Sequence, residues 1–254
     1  MKLIIVGCSS GMPSPNLAHS CYLVEESGRF FMFDCGDGAS SALLRCKTDT
    51  SAIENIFISH THPDHVSGLP MFIQMEYLKN RSEPLTIHIP SEFERVFWMT
   101  MRGFYLFPEK LDFEIVVKTI DDGYEFADSG MKVSASANSH LRGHREFLGS
   151  TDYDNRMQCF SFVAQTGGKK LVYSADIGSL DDLTDIALDA DLLLTEGMHL
   201  DLDQLPALLI EKNVQRCLLT HLPDDFPHEA VQQSFSKAGY EDLRFASEGL
   251  TVDV

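Results

Sequence analysis

Residues 55–65 read NIFISHTHPDH, a short apolar run that ends in three histidines and an aspartate. A run of this kind reads as a buried strand, so His60, His62, Asp64 and His65 would leave the interior together at its end. One unpaired buried charge already costs several kcal/mol. Imidazole nitrogen and carboxylate oxygen are, however, the donor types of zinc, manganese and iron. On a loop, side chains at alternate positions can converge, with His60 and His62 on one metal and Asp64 and His65 reaching toward a second. The chain is therefore expected to be a frame built around a metal centre.

Further strand-like runs are KLIIV, CYLVE, RFFMFD, LTIHI, FEIVVK, MKVSASAN, CFSFVAQT, KLVYSA, DLLLT and RCLLTH. Helical patterns interleave at 38–47, 66–79, 91–104, 204–212 and 227–238, the last opened by Pro227 and closed at Gly239. Gly167 and Gly168 between two runs signal a two-residue hairpin. The alternation favours one layered α/β domain over 1–254 rather than separate modules. Residues 141–157, LRGHREFLGSTDYDNRM, read as a surface loop of the length that often shapes a binding site. The run FERVFWMTMRGFYLF at 93–107 holds the single tryptophan. It is apolar nearly all round, which suits a buried helix, a homodimer contact or a wall over a substrate.

Six cysteines at 8, 21, 35, 46, 159 and 217 form no C-x-x-C pair and read as reduced core thiols. The first apolar run, four residues long, is too short for a signal peptide, and no stretch approaches a membrane span. A cytoplasmic chain away from membranes is expected. With 20 Lys and Arg against 38 Asp and Glu, the net charge is -18. From Asp176 onward there are 17 acidic residues and four basic ones. A nucleic-acid binder normally shows a basic footprint, so the balance points to a small substrate.

H-x-H-x-D-H behind a strand resembles the signature of the metallo-β-lactamase superfamily. The resemblance implies a four-layer αββα sandwich, with two mixed β-sheets packed face to face and helices outside. It also implies a binuclear site with later ligands: His140 in SANSHL, Asp176 in LVYSADIG as the bridging aspartate, and His221 in CLLTHLPD. His144, four residues on, competes with His140. The openings GCSSGMPSPNLAHSCYLVE and FFMFDCGDGASSALL are similar to those of ribonuclease Z and its phosphodiesterase relatives. Ser9, Ser10 and Gly11 would then offer backbone and hydroxyl donors to a phosphate oxygen. Asp34 or Asp37 would hold a ligating histidine, and FDCGDG would cap the next helix.

What the resemblance implies is hydrolysis of a small or nucleotide-derived phosphodiester by two divalent ions, zinc first, with manganese or iron as alternatives. A hydroxide shared between the ions would attack phosphorus, and Asp64 would orient it while ligating. Where ribonuclease Z carries a His-Glu pair, this chain has Thr195 and Glu196. Proton transfer then falls to Glu196 and to His199, three residues on. Arg142 and Arg145 would orient the substrate's anionic end. Lactonase or thioesterase chemistry, tRNA 3′ processing, and a redox or metal-binding module are the alternatives. The absence of a Gly/Pro-rich basic arm counts against tRNA.

Overall fold

The computed structural model describes residues 1–128, 130–148 and 155–254. Along residues 2–120 run β1 (Lys2–Gly7), β2 (Cys21–Glu26), β3 (Arg29–Phe33), β4 (Ile53–Phe57), β5 (Leu85–Pro90) and β6 (Ile115–Ile120). Among them lie α1 (Ala39–Arg45), α2 (Pro63–Val66), α3 (Leu69–Leu78) and α4 (Glu94–Gly103). Residues 121–246 carry β7 (Glu125–Asp128), β8 (Met131–Ala137), β9 (Phe160–Thr166), β10 (Lys169–Tyr173), β11 (Leu192–Glu196), β12 (Cys217–Thr220) and β13 (Leu243–Phe245). The helices there are α5 (Leu205–Glu211) and α6 (His228–Lys237), and β14 (Thr251–Asp253) closes the order.

Two compact units result, 2–120 with 247–253, and 121–246 with Met1 and Val254. Each holds one mixed seven-stranded sheet, ordered β14-β1-β2-β3-β4-β5-β6 in the first and β13-β12-β11-β10-β9-β8-β7 in the second. In the first sheet β14 to β3 pair antiparallel and β3 to β6 parallel. The second repeats the division, parallel from β13 to β10 and antiparallel from β10 to β7. In both units the parallel half matters for chemistry, because open α/β sheets gather ligands beyond the carboxyl ends of their parallel strands.

All eleven strand-like runs form strands, and the five helical patterns appear within a few residues of expectation. β7, β13 and β14 carry no sequence signal, being three or four residues long with no apolar alternation. The hairpin closes at Gly167 and Gly168, with φ of 56° and 78°, the pair of left-handed residues that a two-residue turn needs. FDCGDG does not cap α1 with a side chain: the N-cap is Gly38, and no side-chain bond is made there. The polar segment after 140 is only partly loop. His140–Phe147 winds as a 3-10 helix that buries Leu141, and residues 149–154 of the expected loop lie outside the described residues.

The first unit packs Leu23, Met32, Ile56, Phe72, Ile87 and Phe97 around its sheet; the second packs Val172, Leu193, Leu205, Leu219 and Phe235. α4 is amphipathic rather than apolar all round. Phe97 and Met101 are buried, while Met99 and, just beyond the helix, Phe104 and Tyr105 are exposed. Five of the six cysteines are buried and none forms a disulfide; burial pushes the Cys8 thiol up to about 12, which keeps it inert. Among the described residues no helix is long and apolar enough to cross a membrane.

Candidate functional site

In the first unit β3 and β4 end side by side, paired in parallel through Phe33 and Phe57, so the residues that follow them meet. Asp34 turns out of β3 with a left-handed φ of 58° and is fully buried. Its carboxylate accepts from the Ser59 N–H at 2.7 Å, from the Ser59 hydroxyl at 2.8 Å and from His65 Nδ1 at 2.7 Å. Because a carboxylate only accepts, His65 carries its proton on Nδ1 and keeps the lone pair on Nε2. The Ser59 hydroxyl, already donating to Asp34, accepts from His60 Nδ1 at 3.0 Å. His60 is thereby held in the same tautomer. One aspartate orients two candidate ligands, as partners behind metal-binding histidines commonly do; Asp37 is exposed.

The His60 ring lies 4.1 Å from His65 and 4.7 Å from His62 between centroids. Asp64 Oδ2 lies 3.5 Å from His65 Nε2. The Ser-Gly turn stands beside them. A Cβ on Gly11 would come 3.4 Å from Asp64 Oδ2, and one on Gly36 would come 2.1 Å from the Asp64 carbonyl oxygen. Ser9 builds this turn: its N–H donates to Ala18 O and its hydroxyl to Met12 O.

In the second unit, Asp176 follows β10, Glu196 ends β11 and His221 follows β12. These three strands are parallel neighbours, so their carboxyl ends align. Left-handed φ values at Ala175 (52°) and His221 (58°) break the strand alternation where the side chains must turn inward. Sparsely populated backbone of this kind clusters at functional sites. Asp176 Oδ2 lies 3.5 Å from His221 Nε2 and 3.7 Å from His140 Nε2. His144, the competitor for the His140 role, is exposed, as are Arg142 and Arg145.

Thr195 is fully buried inside β11. Glu196 is also buried. Its Oε2 accepts the N–H of Met198 at 2.6 Å and of His199 at 2.8 Å, and its Oε1 lies 3.4 Å from His199 Nδ1. The His199 ring packs at 5.0 Å against His140 and 6.3 Å from His221. Its side chain is 44% exposed, so it combines a buried carboxylate partner with access to solvent.

Sequence reasoning missed Ser59, Asp182 and His19. Ser59 had no signal beyond its place before His60. Asp182 Oδ2 accepts from Ser139 N and Oγ and from Gly178 N, joining the segment before His140 to the one after Asp176. Its spacing from Ser179 is a capping box, a pattern that S-x-x-D displays in sequence.

The histidine and aspartate donors of both units are compatible with two divalent metal ions. Residues 1–240 match the family described as Anti-Pycsar protein Apyc1. The chain is 24% identical over 305 residues to Ribonuclease Z of Methanosarcina acetivorans, covering all of this chain and 98% of that one. In structure it is similar to the metallo-beta-lactamase fold protein YhfI from Bacillus subtilis (TM-score 0.78, 19% identity), over 99% of this chain and 98% of that one. It is also similar to a diphosphatase from the PhnP family (TM-score 0.73, 15% identity), over 100% and 97%. Two mixed seven-stranded sheets with helices, the donor sets and these relatives agree on a metal-dependent hydrolase of that fold.

Proposed function

The chain belongs to the family described as Anti-Pycsar protein Apyc1, within the ribonuclease Z and phosphodiesterase-like branch of the metallo-β-lactamase superfamily, and we propose that it hydrolyses a small or nucleotide-derived phosphodiester. The observation that carries this reading is the position of the Ser-Gly turn. A Cβ on Gly11 would come within van der Waals reach of the Asp64 carboxylate, so the turn's donors would lie beside a candidate ligand, where a phosphate oxygen would bind. Such backbone nests favour anions. The names of the relatives, a ribonuclease and a diphosphatase, point to phosphorus as well.

His60, His62, Asp64, His65, His140, Asp176 and His221 would hold two divalent ions, zinc first among them and manganese or iron as alternatives. When bound, such a pair lowers the pKa of a shared water and offsets charge developing at phosphorus. The chain's own residues do the rest. Asp34 and Ser59 fix the His65 and His60 tautomers. Ser10 and Gly11 contact the anionic substrate, with Ser9 shaping their turn. Glu196 holds His199 in place, and His199 hands a proton to the leaving oxygen. Arg142 and Arg145, exposed on their 3-10 turn, orient the substrate's far anionic end. Single-domain organisation and a homodimer through the exposed aromatics near α4 complete the proposal.

The deciding assay is release of nitrophenol from bis(p-nitrophenyl) phosphate by protein reconstituted separately with zinc and manganese, with Asp64→Ala as control. Metal-dependent turnover absent from the control supports the reading. A fully metallated protein that releases nothing overturns it and brings lactones and thioesters forward. The full-length match to a ribonuclease Z also carries a second reading, tRNA 3′ processing, despite the acidic balance. Cleavage of a precursor tRNA at its 3′ trailer would establish it.

A further inference from the structure

His19 has no part in the metal donor set and no role assigned within the opening GCSSGMPSPNLAHSCYLVE, yet it is 5% exposed between the two segments that matter most in the first unit. On one side its Nδ1 meets the Ser10 carbonyl oxygen at 2.8 Å. On the other, its Cβ sits 2.7 Å from where a Gly36 Cβ would stand, the same point that lies 2.1 Å from the Asp64 carbonyl. Its own N–H donates to Asp37 O, and it bridges Ser9 in parallel. A carbonyl only accepts, so Nδ1 carries the proton.

The consequence follows from the planar trans peptide, in which C=O and N–H point in opposite directions. Drawing the Ser10 carbonyl to His19 turns the N–H of the same peptide unit, which belongs to Gly11, away from His19. Gly11 is exposed and lies beside Asp64. We propose that His19 is a positioning residue: by pinning the Ser10 carbonyl it aims the Gly11 N–H outward, as a donor ready for an anionic substrate oxygen. This rests on the phosphodiester reading and deepens it by naming what preorganises the turn. A donor fixed before binding costs no reorganisation at the moment of reaction.

Three variants separate this role from mere packing. His19→Asn places an amide donor where Nδ1 was; His19→Gln places it where Nε2 was; His19→Leu fills the volume without a donor. With metal content equal to wild type, the inhibition constant of inorganic phosphate should rise about tenfold in the Leu and Gln proteins, the size of one lost hydrogen bond. In the Asn protein it should stay within about threefold of wild type. The Gly11 amide resonance should move in Leu and Gln and hold in Asn. Equal inhibition constants in all three variants, or metal lost in step with phosphate affinity, would overturn the proposal. A wild type that turns over diesters while His19→Leu matches it in phosphate affinity sinks the positioning role alone. A wild type that neither turns over diesters nor binds phosphate removes the phosphodiester reading, and the Gly11 resonance then decides the peptide lock: unmoved in Leu, it falls too.

Discussion

His65 and Asp34 are thirty-one positions apart in sequence and 2.7 Å apart in space, Nδ1 to Oδ2, with both side chains almost wholly buried. Asp34→Ala removes the acceptor behind His65 and the group that orients the Ser59 hydroxyl behind His60. Metal affinity should fall about 10- to 100-fold, read by titration against a chelator of known strength. Unchanged affinity would mean that the histidines need no such orientation.

His199→Ala should lower kcat about 10²- to 10⁴-fold, as expected of a lost general acid, with both metals retained. Glu196→Gln should follow it in direction, because Oε1 then faces His199 Nδ1 without charge. Activity that survives both changes would move proton delivery elsewhere.

His88 is buried, stacks on Phe57 at 4.1 Å and lies 3.0 Å from Asn55 Oδ1 through Nε2. Burial first, then the nearby Lys118 charge, lowers its pKa to about 3 from an ordinary 6.5. Between those values the unfolded chain binds a proton that the folded one does not, so stability falls as pH falls. His88 accounts for about 2 kcal/mol of loss between pH 7 and pH 5. His88→Phe should flatten the urea midpoint over that range by a matching amount; an identical slope would remove His88 from the acid response.

Arg81 is buried against Glu76 at 3.1 Å and donates to the carbonyls of Ile53, Glu83 and Pro84. It ties the entry of β4 to the entry of β5. Arg81→Met leaves Glu76 with its charge buried, and breaking such a pair costs about 3–5 kcal/mol. Urea denaturation reads it directly, and a loss below about 1 kcal/mol would contradict a structural clamp.

Gly36→Ala should abolish metal binding with little ordered fold left around Asp64. The added Cβ would fall 2.1 Å from the Asp64 backbone oxygen, and backbone cannot step aside as a side chain tip can. Wild-type metal content in this variant would show that the loop yields.

The local sequence determined a good deal. Apolar runs of four to seven residues bounded by Gly, Asp or Ser give strands whatever surrounds them, and HTHPDH announces its chemistry because four donors in six residues are costly without a metal. Short edge strands such as Leu243–Phe245 were silent, since three residues carry no period. The 3-10 turn from His140 was silent as well: its polar face looks like a loop, and Leu141 alone is buried.

Tertiary structure decided which polar residues answer to one another. FDCGDG offers two aspartates of equal promise, and only the parallel pairing of β3 with β4 brings Asp34 under Ser59 and His65 while Asp37 stays exposed. TEGMH offers a glutamate and a histidine; the turn after β11 points one at the other. His19 and Asp182 act through backbone carbonyls and amides, groups that every residue has. Apart from the Ser179–Asp182 capping box, such partnerships leave no mark in spacing, because hydrogen bonds are set by position in space, and position is fixed only when the sheets and their crossings have formed.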